Sequence, residues 1–166
     1  MSGIPVPDNG IRILAEQVLD HLRQSGRRLV TVESCTGGLI SAALSDIPGS
    51  SDVLEGGFVT YSNALKMSAV GVPEAILAQY GAVSVQTAEA MATGALEHAM
   101  DADLAVSVTG IAGPGGGTDL KPVGTVCFGL ALRSGPVITA QCHFTGARSS
   151  IRTQSVQQAL RMVLNS

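Results

Sequence analysis

The residues able to do chemistry in this 166-residue chain gather around its glycines. Ser34 stands in Glu33-Ser34-Cys35-Thr36-Gly37-Gly38, after the β-branched run Arg28 to Glu33 and before an apolar helical stretch reaching about Leu44. Two roles are open to a hydroxyl there. It caps the helix, as Ser and Thr usually do, or it attacks an electrophile whose oxyanion is held by free backbone N–H groups and the helix dipole. Lys66, in Tyr61-Ser62-Asn63-Ala64-Leu65-Lys66, is one of two lysines against eight arginines, so it belongs to no lysine-rich solvated face. Either it is a surface helix lysine, or it is desolvated beside Ser34. In the second case its pKa falls from about 10.4 toward neutrality, and it accepts the serine proton.

Other candidates carry their own alternatives. Cys35 is a thiolate nucleophile at a helix N-terminus or a small buried apolar side chain. The run Thr109 to Thr118 is the most glycine-dense, yet it has neither the Gly-Lys-Ser/Thr of a P-loop nor the G-x-G-x-x-G register of a dinucleotide site. Its backbone either approaches a ligand and cradles phosphate in N–H nests, or it is a flexible surface loop. Arg148 offers a planar fork to a phosphate or pairs with a carboxylate. His143 has no Cys or carboxylate at ligand spacing, and the three cysteines lack C-x-x-C spacing, so neither a metal site nor a disulfide framework is indicated.

Composition excludes whole classes of partner. With net charge -3 and 3% aromatic residues, the chain has no basic stripe for a phosphate backbone and little to stack on bases. No apolar run approaches the 18 residues of a membrane span, and the N-terminus lacks the pattern of a signal peptide, so a cytoplasmic protein is expected. A 45% hydrophobic, 14% charged chain forms a packed core. Its 20 glycines serve some purpose other than bulk.

The elements that must position these residues follow from periodicity. Residues 1–8 read as a loose lead-in and 9–166 as a single domain. Ile11, Leu14, Ala15, Val18 and Leu22 mark one face of a helix capped by Asp8 or Asn9 and ending near Ser25-Gly26. Phe58 to Tyr61 predicts a second strand, followed by short helices over Ser62 to Ala69 and Pro73 to Tyr80. Ser84 caps a helix of small side chains through Ala99, and Leu104 to Val108 is a buried strand. Val123 to Leu132 and Pro136 to Phe144 form an antiparallel pair before a last helix containing Ile151, Val156, Ala159, Leu160 and Val163. The expected fold is an α/β/α three-layer sandwich with a mixed, mostly parallel sheet of about five strands. Ligands of such sheets collect at the carboxyl ends of strands, where Ser34 and the glycine-rich run fall.

Five ordered motifs resemble the CinA C-terminal domain family, which contains nicotinamide mononucleotide deamidases. They are Glu33 to Gly38, Gly57 to Asn63, Gly81 to Ser84, Thr109 to Pro114 and Lys121 to Val126, and the resemblance runs from about Ile11 to Leu164. It implies hydrolysis of the nicotinamide mononucleotide carboxamide to nicotinate mononucleotide and ammonia, with no cofactor and no metal. By the same resemblance, Ser34 is the nucleophile, Lys66 its base and Tyr61 a positioning or proton-relay hydroxyl. Backbone N–H groups near Cys35 and Thr36 hold the oxyanion, and Gly37 beside them also binds substrate. Thr109, Gly110, Gly113 and Gly115 wall the nucleotide pocket, and Arg148 meets the phosphate. Family members commonly read Gly-Asp-Arg where this chain has Gly146-Ala147-Arg148, and Glu-Arg-Gly where it has Glu55-Gly56-Gly57. Those two missing side chains motivate the alternative of a non-catalytic pyridine-nucleotide-binding or regulatory domain. The chain is expected to be the stand-alone form, without the N-terminal pyrophosphatase-like domain of longer members, and to assemble as a homo-oligomer through its apolar helices.

Overall fold

A computed structural model describes residues 9–166; the expected lead-in and the Asp8 cap lie outside the described residues. The strands β1 (Leu29–Glu33), β2 (Leu54–Val59), β3 (Leu104–Gly110), β4 (Thr125–Leu132) and β5 (Ile138–His143) form one sheet in the order β2-β1-β3-β4-β5. Four strands run the same way and β4 opposes them, because β1 pairs parallel with β2 and β3 while β4 is antiparallel to β3 and β5. The helices are α1 (Asn9–Ser25), α2 (Leu39–Ser45), α3 (Asn63–Val70), α4 (Glu74–Tyr80), α5 (Val85–His98) and α6 (Arg148–Leu164).

The period of two along each strand divides the core into two layers. Leu29, Leu104, Val106, Val108, Phe128 and Leu130 face the apolar stripes of α1, α2 and α6. On the other face, Val30, Val32, Ala105 and Ala131 meet Val70 of α3 and Met91, Ala92, Ala95 and Leu96 of α5. Helices on both faces of a mixed sheet give the three-layer fold expected from the sequence.

Most predicted elements fall where the pattern puts them, and the largest difference is at β2. It begins at Leu54 rather than Phe58, because Gly56 and Gly57 carry no side-chain signal for a strand. Pairing with β1, where Thr31 faces Gly57 and Glu33 faces Val59, imposes the extended backbone instead. Glu33 also faces Val108 of β3, so β1, β2 and β3 end level with one another. Ser34, Thr60-Tyr61 and the start of the glycine-rich run therefore emerge side by side.

The missing Asp of Gly146-Ala147-Arg148 has a local structural meaning. Ala147 is the N-cap of α6, with φ -70° and ψ 163°, and supplies no capping side chain. Ala147→Asp is expected to stabilise the protein by about 1 kcal/mol. For a chain of this size that raises the thermal midpoint by about 3 °C in a calorimetric scan.

Candidate active site

The turn after β1 is organised by a carboxylate. α2 begins at Leu39, and its N-cap is Gly38, whose φ of 101° lies in the left-handed region that glycine alone adopts readily. Capping falls to Glu33, whose buried side chain accepts the N–H groups of Gly38 (3.0 Å), Ile40 (3.1 Å) and Ser41 (2.9 Å). The capping role open to Ser34 in the sequence is thus taken by its neighbour, and the Ser34 hydroxyl is released for other work. The Ser34 N–H donates to the Val108 carbonyl (2.9 Å), and the Gly37 N–H closes the turn onto the Ser34 carbonyl (3.0 Å). Among the described residues, the N–H groups of Cys35 and Thr36 are bonded to no other residue.

Lys66 is among the largest fully buried side chains of the described residues, 1% exposed, which removes the surface-lysine alternative. It lies on α3, started by Ser62, whose hydroxyl accepts the Leu65 N–H. Its Nζ donates to Ser34 Oγ at 3.1 Å, to the Thr60 carbonyl at 2.9 Å and to the Tyr61 carbonyl at 3.4 Å. Burial pushes the Lys66 pKa below its usual lysine value. A Cys35 thiolate would oppose this shift, but burial raises the Cys35 pKa to about 11, so near neutrality that charge is absent. The same value argues against Cys35 as a thiolate nucleophile. Once Lys66 is neutral, its two hydrogens serve the two carbonyls and its lone pair faces the Ser34 hydroxyl.

The pocket over this pair has a volume of about 180 Å³ and is lined by Ser34, Cys35, Tyr61, Lys66, Thr109, Gly110 and Arg148, with Ala82, Val83 and Ala112. Thr36, Gly37, Gly113 and Gly115 are outside this lining, and Gly115 is exposed. Thr109 anchors one wall, donating to the Ala82 carbonyl at 2.7 Å. Arg148 bridges the mouth, with Nη1 donating to the Gly113 carbonyl (2.8 Å) and Nη2 to the Tyr61 hydroxyl (2.9 Å). Tyr61 therefore turns its carbonyl to Lys66 and its hydroxyl to Arg148, rather than placing the hydroxyl in the Ser34–Lys66 pair. A larger concavity, about 430 Å³, lies between α4 and α5, where Glu89 and Glu97 would repel an anionic ligand.

Two contributors were not singled out from the sequence. Glu33 reads there as the end of a strand, and no motif announced that its carboxylate would cap a helix five residues on. Arg152 on α6 belongs to none of the sequence motifs, yet its Nε donates to the Cys35 carbonyl (3.1 Å) and its Nη2 to the Thr36 carbonyl (3.1 Å). Its spacing of four from Arg148, one helical turn, was the available signal. Two buried hydroxyls, Thr36 Oγ1 and Thr60 Oγ1, have no hydrogen-bond partner among the described residues. Both belong to the turns that hold Ser34 and Lys66, and buried hydroxyls without a partner are rare enough in folded proteins for each to call for a physical reason. Among the described residues, no group of three His, Cys, Asp or Glu side chains lies close enough to hold a metal ion, and no helix is long and apolar enough to cross a membrane.

Fold and pocket together define a three-layer α/β/α protein with a small-molecule pocket at the carboxyl ends of three parallel strands. Residues 11–166 match the CinA C-terminal domain, and the chain belongs to that family. It is 54% identical over 144 residues to the nicotinamide-nucleotide amidohydrolase PncC of Enterobacter agglomerans, covering 84% of this chain and 87% of that protein. A CinA-like protein of Akkermansia muciniphila is 49% identical over 152 residues, 92% of this chain but 36% of that longer protein. The chain thus spans about a third of the longer CinA-like relatives. Among solved structures, the competence/damage inducible protein CihA of Agrobacterium tumefaciens superposes with a TM-score of 0.94 at 43% identity, covering 98% of this chain and all of that one.

Proposed function

We propose that this chain hydrolyses the carboxamide of nicotinamide mononucleotide to nicotinate mononucleotide and ammonia, with Ser34 as nucleophile and Lys66 as its base. The observation that carries the reading is the 3.1 Å contact between Ser34 Oγ and a buried Lys66 Nζ at the floor of a pocket. The substrate class is supported by the PncC relative, whose length this chain largely covers.

In the first half-reaction, neutral Lys66 takes the Ser34 proton as Oγ bonds to the carboxamide carbon, and the carbonyl oxygen becomes an oxyanion facing the N–H groups of Cys35 and Thr36. The C–N bond then breaks, the Lys66 proton leaves on the amine, and ammonia departs. Water attacks the resulting ester, gives its proton to Lys66, and releases the carboxylate as Ser34 recovers its hydrogen. The small pocket suits the carboxamide end of the substrate. The ribose phosphate lies outward, toward the glycine-rich run and Arg148, whose fork suits phosphate. Residues 9–166 act as one catalytic unit. The non-catalytic alternative loses support, because the missing Asp falls at a helix cap and a side chain at Gly56 would face open space.

Ammonia release from nicotinamide mononucleotide by the purified protein is the direct test, and no turnover would reject the reading. The Lys66 shift adds a pH signature. Only the neutral amine is a base, so kcat/KM rises with pH and levels off once Lys66 has lost its proton. Because its pKa is lowered, the midpoint of that limb should fall below the ordinary lysine value of 10.5. A rate that is flat with pH, or one that falls across this range, would exclude Lys66 as the base.

A further inference from the structure

We propose that Arg152 is a positioning residue for the oxyanion turn, acting through the peptide groups on either side of Thr36. The inference rests on the serine-amidase reading above and adds to it a residue outside the pocket wall. The guanidinium bonds the consecutive carbonyls of Cys35 and Thr36 through two different nitrogens. A Cβ at Gly37 would lie 3.7 Å from Nη2, so the group packs against the turn itself. Among the described residues Arg152 pairs with no carboxylate, which leaves its charge directed at these two carbonyls.

A trans peptide is planar, with its C=O and N–H pointing in opposite directions. Drawing the Cys35 carbonyl toward Arg152 therefore turns the Thr36 N–H away from α6. Cys35 and Ser34 line the pocket while Arg152 and the Thr36 side chain lie behind it, so this orientation turns the N–H from Arg152 toward the Ser34 side of the turn. The second bond holds the Thr36 carbonyl and, with the Gly37 N–H closed onto the Ser34 carbonyl, leaves the turn no freedom to flip. A cation on the carbonyl also polarises the peptide and makes its N–H a stronger donor. Glu33 fixes the other end of the turn, so the peptides of the oxyanion site lie between a carboxylate on N–H groups and a guanidinium on carbonyls.

Two variants test this on the full chain, Arg152→Met and Arg152→Lys. Arg152→Met should lower kcat by about 10²-fold, the scale of losing one oxyanion donor. KM should move by less than about threefold, because the interaction forms only as charge develops. Arg152→Lys should recover part of the loss, since a single ammonium cannot bridge both carbonyls in the fork geometry. A second readout needs no natural substrate: labelling of Ser34 by a fluorophosphonate, which also places a developing anion in the turn, should slow by a similar factor. Thermal midpoints identify the fully folded variant, and Arg152→Lys carries the test if Arg152→Met does not fold. Wild-type kcat and labelling rate in a folded variant would overturn the proposal while leaving the amidase reading intact. A wild-type protein that labels at Ser34 but releases no ammonia would instead reject the substrate, and the labelling rates would still decide the role of Arg152. A wild-type protein that neither labels nor turns over would remove the nucleophile and the role of Arg152 together.

Discussion

Ser34→Ala should lower kcat for ammonia release by on the order of 10⁴-fold or more, the scale seen when a catalytic nucleophile is removed. Lys66→Met should cost about 10² to 10⁴-fold, the usual worth of a positioned general base. The sharper result is the double variant. Ser34 Oγ and Lys66 Nζ are 3.1 Å apart and act on one proton, so Ser34→Ala/Lys66→Met should be barely slower than Ser34→Ala alone. Once the hydroxyl is gone, the amine has nothing to deprotonate. Losses that simply multiplied would mean that the two residues act independently, and undiminished turnover by Ser34→Ala would end the nucleophile assignment.

The second large effect is expected outside the pocket lining, at Gly94 within α5. A Cβ there would overlap the backbone carbonyl of Val70, the last residue of α3. Alanine is favoured over glycine inside a helix by up to about 1 kcal/mol, so the sign depends on whether α3 can give way. Val70 is fully buried, and the overlap is with backbone rather than a flexible side chain. Overpacking of about 1–3 kcal/mol should therefore prevail, and Gly94→Ala should lower the thermal midpoint by several degrees. It should also impair catalysis, because Lys66 sits one turn before Val70 on the helix that must move. A misplacement of about 1 Å at a reacting pair can cost about 10²-fold in rate. Gly135→Ala, in the β4–β5 turn with only an ordinary contact to Leu132, is the control expected to change neither quantity. If Gly94→Ala matched it in both, close approach of α3 and α5 would not be what seats Lys66.

Part of this arrangement is legible in local sequence. The amphipathic stripe of α1, the Ser84 cap of α5 and the β4–β5 pair are local patterns, and the structure has them close to where the pattern puts them. The scarcity of lysine marks Lys66, and the strand–turn–helix setting marks Ser34. Neither signal chose between a catalytic residue and an ordinary one, because both outcomes use the same residue types at the same spacing. Glu33 was less visible still. A carboxylate at the end of a buried strand has no periodic signature, and its three N–H partners become neighbours only when the backbone turns at Gly37-Gly38.

By itself, then, the sequence determined the order of helices and strands, the face each one buries, and the strand ends at which chemistry could gather. Those are consequences of near-neighbour physics, in which each stretch reports how its own side chains alternate between core and solvent. Only the tertiary structure decided that Lys66 reaches Ser34 across 32 residues and that Arg152 reaches the Cys35 carbonyl across 117. It also decided that Ser34 is freed from capping. Such pairings depend on the parallel register of β1, β2 and β3 and on how closely α3 and α6 approach the sheet. Both come from packing the whole core, and no local run of residues encodes them.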